Sequence, residues 1–319
     1  MARRPNDKLL YMAFQKFLDL CLLNDKSLIW PDREAWTQKR VIDIKERMVD
    51  SPIWGDSLSF EEKLKEQMKG TSSEHWAIIC DTFYVYFLPS SYIKLEKRQM
   101  DIRWAAEQGG LVSPPGNSEI WEAQKSGFTR TGQRYHLKYA QFWFILLFAS
   151  HIKGTENPHA VVKDAHQMQR ILDEVLDNVP NRTDRAYDMR HAMLYLTFPD
   201  LYERIISTRD KERIIETYRH KIKEPVPSDI DQAIRKIREA LAKDYDKPDR
   251  PFDFYQELKG EWKPGKGLPP TAVKDSKDIG PVTVPGEEEG SEEISISPVE
   301  ANTHTQIQWE HYRFINDLK

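Results

Sequence analysis

The sequence predicts an all-α protein. Three observations carry that expectation: apolar residues recur at helical spacing through most of residues 1–262, capping residues and Gly or Pro stops punctuate them, and strand-like alternation is scarce. With 39% hydrophobic and 11% aromatic residues, the 319-residue chain can bury a substantial core.

Leu10, Phe14, Phe17 and Cys21 share one face of a first helix that ends at Asn24. Ser59 and Glu62 form a capping-box pair before FEEKLKEQMK, and Gly70 stands where a C-cap glycine belongs. Helices are expected over Ser73–Leu88, stopped by Pro89, and over Ser91–Gln108, stopped by Gly109-Gly110. SPPGN (113–117) is a loop, followed by a short helix at Ile120–Lys125 and a glycine-bounded turn, GFTRTG. The run AQFWFILLFASHI (140–152) predicts a core helix, since crossing a bilayer takes about 20 apolar residues. Further helices are expected over Ala160–Asp177, Asp184–Thr197, Thr208–His220 and from Ser228, the last with Asp231 completing a capping-box-like pair. Ile230, Ile234, Ile237 and Leu241 line one face of it.

After Trp262 the composition turns to Pro, Gly and acidic residues, predicting a disordered acidic linker over 263–302 and a short amphipathic C-terminal helix over 303–319. The latter reads as a docking helix or the start of a domain that the chain does not contain. Residues 1–262 are the helical domain. The net charge of −4 falls entirely after residue 262, so the body is neutral and gives no bulk electrostatic argument for nucleic acid. Cys21 and Cys80 lie in apolar runs, as expected of buried reduced thiols in a cytoplasmic protein. No secretory leader pattern opens the chain.

GEWKPGKG (260–267) satisfies G-x-x-x-x-G-K, but Gly267 replaces the Mg²⁺-binding hydroxyl and Leu268-Pro269-Pro270 cannot open a helix. Glu61-Glu62-Lys63 and Glu257-Leu258-Lys259 match the E-x-K of metal-dependent nucleases without the strands that chemistry needs. His151, His159 and His166 lack ligand spacing, and there is no G-x-S-x-G. No catalytic residue, metal or cofactor is therefore expected. The most basic stretch, GFTRTGQRYHLKY (127–139), supplies nucleic-acid candidates Arg130, Arg134, Tyr135 and Lys138, against the alternative of a turn and the first turns of a core helix.

RHAMLYLTFPDLYERIISTRDKERII (190–215) continues the helix before Phe198, in which Tyr187, His191, Leu194 and Phe198 share a face, which puts His191 on the apolar side. Asp200 with Glu203, and Ser207 with Asp210, read as two helix starts. Arg209, Glu212, Arg213 and Glu216 form a face of alternating sign, with Arg209 and Arg213 as partner-docking candidates.

This stretch, together with FEEKLKEQMKG (60–70), GFTRTGQRY (127–135), DIDQAIRKIREAL (229–241) and FDFYQELKGEW (252–262), stands in an order that resembles the region preceding the motor in McrB-like AAA+ restriction and defence ATPases. In that family the FY…W segment leads into a P-loop ATPase. Here the acidic linker follows, and neither a Walker A nor a Walker B motif does. HTQIQWEH (304–311) is similar to the opening of a nuclease-like domain attached to related regions. The resemblance implies a non-catalytic recognition or coupling module of a prokaryotic restriction or anti-phage defence system, with DNA, an AAA+ motor or a nuclease subunit as partner and no membrane. The alternatives are the N-terminal fragment of a DNA endonuclease and a helical scaffold that binds only protein.

Overall fold

The structure, a computed structural model, describes residues 2–55, 57–180, 186–223, 225–247 and 251–263, without the side chains of Gln133 and Arg134. The expected linker, apart from Lys263, and the expected C-terminal helix lie outside them. The chain divides into two units, Met1–Ile53 with Phe60–Lys263, and a second to which Trp54–Ser59 belong. In the described part of the second, Trp54 and Leu58 are exposed.

The first unit is all-α, as the helical spacing predicts. Its helices are α1 (Lys8–Lys16), α2 (Gln38–Lys45), α3 (Phe60–Gln67), α4 (Ser73–Phe87), α5 (Leu95–Gln108), α6 (Lys138–Gly154), α7 (Pro158–Val161), α8 (Ala165–Asp177), α9 (Tyr187–Thr197), α10 (Thr208–Tyr218), α11 (Ile230–Tyr245) and α12 (Lys259–Trp262). Among the described residues no β-strand forms, and no helix is long and apolar enough to cross a membrane.

Helices α4 and α6 are apolar nearly all round and are therefore the buried centre. Phe83 meets Phe142 edge to face at 4.7 Å where they touch. Around them pack α2, α5, α8 and α9, with α1 against α9, which is itself buried along most of its length. The aspartate inside this core, Asp81, is fully buried and satisfied. It accepts hydrogen bonds from the Leu28 and Ile29 amides at 3.0 Å each and from Trp36 Nε1 at 2.8 Å, which fastens the loop after the first helix to α4. Burial pushes the Asp81 carboxyl up to about 6, against the pull of these donors.

Several boundaries differ from the sequence reading, each for a local reason. The first helix continues past Lys16 as a π-helix over Phe17–Leu23, where Lys153 Nζ donates to the Cys21 carbonyl at 2.7 Å. The expected helix at Ala160–Asp177 is broken, because Asp164 caps α8 by accepting from the His166 and Gln167 amides. Ser207 caps α10 as expected. Asp200 does not start a helix; the chain turns there, and its carboxylate takes Arg3 instead at 2.8 Å. Asp229, not Ser228, caps α11, which leaves Asp231 free to point inward. Gly70 has the positive φ of a C-cap glycine, +76°.

A second, smaller apolar cluster gathers Ile205, Ile214, Tyr218, Ile234, Ile237, Leu241, Phe252, Phe254, Leu258 and Trp262 from α10 to α12. Its helices pack on one another, while much of what joins them to the larger core is charged.

Candidate functional site

The expected nucleic-acid residues separate into different roles. Tyr135 is fully buried: its ring stacks on Tyr86 at 5.1 Å and its hydroxyl donates to the Tyr86 carbonyl, so it offers no face to a base. This corrects its assignment. Lys138 is spent on Glu61 at 2.6 Å and Asp101 at 3.2 Å, against the rings of Phe60 and Phe83, and is likewise structural. The Arg134 side chain lies outside the described residues. Arg130 is exposed. Arg209 is exposed and Arg213 half-buried on α10.

Around Arg130 two loops are tied into one platform. Ser91 N donates to the Thr129 carbonyl at 2.8 Å, and the Phe128 and Thr129 amides both reach the Pro89 carbonyl at 3.1 Å. Beneath them lies the buried Arg98. Its guanidinium donates to the carbonyls of Ile93 at 2.8 Å and Ser126 at 3.1 Å, to Gln124 Oε1 at 3.2 Å and to the Ser90 carbonyl. Burial pulls its pKa down to about 10, still far above neutrality. Gly127 is required by close approach, since a Cβ there would sit 2.2 Å from the Ser90 carbonyl carbon. The platform exposes Tyr92, 63% accessible, with Lys94 and Arg130. The sequence reading missed Tyr92 and Lys94 because they come from a different loop.

The second constellation is the charged seam between the two apolar clusters. Arg190 pairs with Asp173 of α8 at 2.8 Å and with Asp231 of α11. Lys211 of α10 reaches the other oxygen of Asp231 and stands 2.8 Å from His191 Nδ1. Arg238 pairs with Glu203, donates to the Phe252 carbonyl at 2.7 Å and lies 3.9 Å above the Phe252 ring. Arg204 pairs with Asp253 at 2.7 Å and donates to the Phe128 carbonyl. Arg4 adds a second cation at Asp253. Arg190, His191, Lys211, Asp231, Arg238, Glu203 and Asp253 are all under 9% accessible, so the charges are desolvated and pair among themselves.

Electrostatics agree with the geometry. Burial would raise the Asp231 carboxyl, but its cationic neighbours outweigh burial and hold it below the ordinary carboxylate range. Burial and then Lys211 push the His191 imidazole well below its ordinary value, keeping it neutral. His191 therefore sits on the buried side, as its spacing implies, whereas Tyr187 of the same expected face is 41% exposed at the first turn of α9.

Among the described residues no group of three His, Cys, Asp or Glu side chains could hold a metal ion, and both cysteines are free and buried. The described unit is thus an all-α body with a rigid exposed platform and a buried ionic seam. No protein-family model, curated protein or solved structure matches the chain.

Proposed function

We propose that the chain is a non-catalytic recognition and coupling module, in which the platform around Arg130 contacts nucleic acid and the seam relays that contact to the α10–α12 cluster. Arg204 is the observation that carries this reading. One edge of its guanidinium donates to the Phe128 carbonyl, two residues from Arg130, and the other lies 2.7 Å from Asp253 of the C-terminal cluster as an ion pair. A displacement of the platform loop therefore bears directly on the cluster. Tyr92 supplies a ring for stacking, and Lys94 and Arg130 supply phosphate contacts. The setting in a prokaryotic restriction or defence system comes from the motif resemblance.

The test is binding of the full chain to single-stranded and duplex DNA across a salt series. Tyr92→Ala is expected to weaken binding by about 1–3 kcal/mol, the usual worth of one stacked base. Lys94→Ala and Arg130→Ala should each remove about one counterion from the salt slope. Absence of binding at low salt, or indifference to all three substitutions, would overturn the nucleic-acid reading in favour of a protein partner.

A further inference from the structure

We propose that the seam is a proton-operated latch: protonation of His191 releases the α10–α12 cluster from the rest of the body. This stands on the seam's geometry and is independent of what the platform binds. His191 Nδ1 lies 2.8 Å from Lys211 Nζ and 2.9 Å from Arg190 Nη1. Both are donors only, so Nδ1 must accept. The single ring proton then sits on Nε2 and is donated to Thr208 Oγ1 at 3.1 Å. An imidazolium would set a third N–H against two cations.

The groups packed around the ring leave a second proton no partner. From α8, Asp173 is engaged by Arg190; from α11, Asp231 stands 3.8 Å from Nδ1 but spends Oδ1 on Lys211 and Oδ2 on Arg190. Thr208 and Lys211 face the ring from α10, and Glu203, which acts on Lys211 from the segment before α10, is taken by Arg238. With His191 neutral, the cations Arg190 and Lys211 balance Asp231 and Asp173. A proton on His191 adds an unpaired buried charge that is relieved when α10 and α11 withdraw, taking the Lys211–Asp231 pair with them, and admit water to the ring.

The folded imidazole is depressed, so the stability it confers is full above the ordinary histidine value and is lost as pH falls. For one histidine with an ordinary pKa of about 6.5 in the open form, the opening equilibrium rises about tenfold between pH 7.5 and 5.5. His75 and His136 are also depressed by burial but belong to the larger body, so they act on overall stability rather than on this cluster alone.

The experiment is hydrogen exchange on the full chain at both pH values. It compares protection factors, corrected for intrinsic rates, of amides in Ala233–Leu241 between the wild type and His191→Gln. Protection of the α11 amides is expected to fall about tenfold in the wild type between the two pH values. His191→Gln keeps an acceptor for Lys211 and a donor for Thr208 but cannot titrate, and should show no such fall. An equal fall in His191→Gln, or none in the wild type, overturns the latch. Should that variant not fold, NMR titration of the wild-type imidazole decides: titration near 6.5 with α11 still protected overturns it, and titration only alongside loss of that protection supports it.

Discussion

Replacing Gly127 by Ala puts a methyl carbon 2.2 Å from both the carbonyl carbon and the oxygen of Ser90, and 2.5 Å from the Ser91 nitrogen. All three are backbone atoms, so no side chain can swing aside. Restoring ordinary contact means moving one loop by about 1 Å or more, since carbon atoms at optimal separation are about 3.5–4.0 Å apart. That displacement strains the Ser91–Thr129 hydrogen bond at 2.8 Å, the two bonds to the Pro89 carbonyl at 3.1 Å and the grip of Arg98 on Ser90. With a net worth of about 1 kcal/mol per bond, and more for buried groups left unpaired, the expected loss is about 3–5 kcal/mol. Gly132, at the other end of the same GFTRTG turn, has open space around its Cβ position, and Gly132→Ala is expected to change stability by about 0.5 kcal/mol or less. Urea unfolding of the two variants beside the wild type makes the comparison. A Gly127→Ala loss no larger than that of Gly132→Ala would refute the close-approach argument.

The seam and the core supply two further predictions. Asp231→Leu strands Lys211 in a buried site and should cost about 3–5 kcal/mol, whereas the double variant Asp231→Leu/Lys211→Met should cost at least about 2 kcal/mol less than the sum of the single losses; additive losses in urea unfolding would mean that the pair is not coupled. For Asp81 the sign follows from its raised carboxyl. The folded state holds a proton that the unfolded state has released, so stability falls as pH rises from about 4 to about 6. Measured against Asp81→Asn, which removes the titration and cancels the histidine contributions, the wild-type advantage should shrink by on the order of 2 kcal/mol over that range. A difference that does not vary with pH would refute it.

Helical periodicity made most of the architecture legible, because α8 and α11 each bury the face that their apolar spacing marks, and α4 and α6, apolar nearly all round, are buried along most of their length. What stayed hidden depended on partners distant in the chain. Asp200 looks like a cap until Arg3, 197 residues away, claims it. Tyr135 and Lys138 look like a basic and aromatic surface until Tyr86, Glu61 and Asp101 are folded against them. The seam did leave a trace. Lys211 stands three residues before Ile214 and seven before Tyr218, and Asp231 three before Ile234, so both charges fall on apolar faces. A charge at an apolar-face position is the signal that the pairing of Ser228 with Asp231 as a cap obscured.

The seam also fixes alignment. An apolar joint between the two clusters would tolerate sliding, since one methyl contact resembles another. Here a shift of one helical turn, about 5.4 Å, would carry Asp231 and Arg238 away from Arg190 and Glu203 and break both buried ion pairs at once. On the proposed latch, the α10–α12 cluster would have one seated position and an undocked one, and a small movement at Phe128 or Asp253 would be read as docked or released rather than absorbed by degrees.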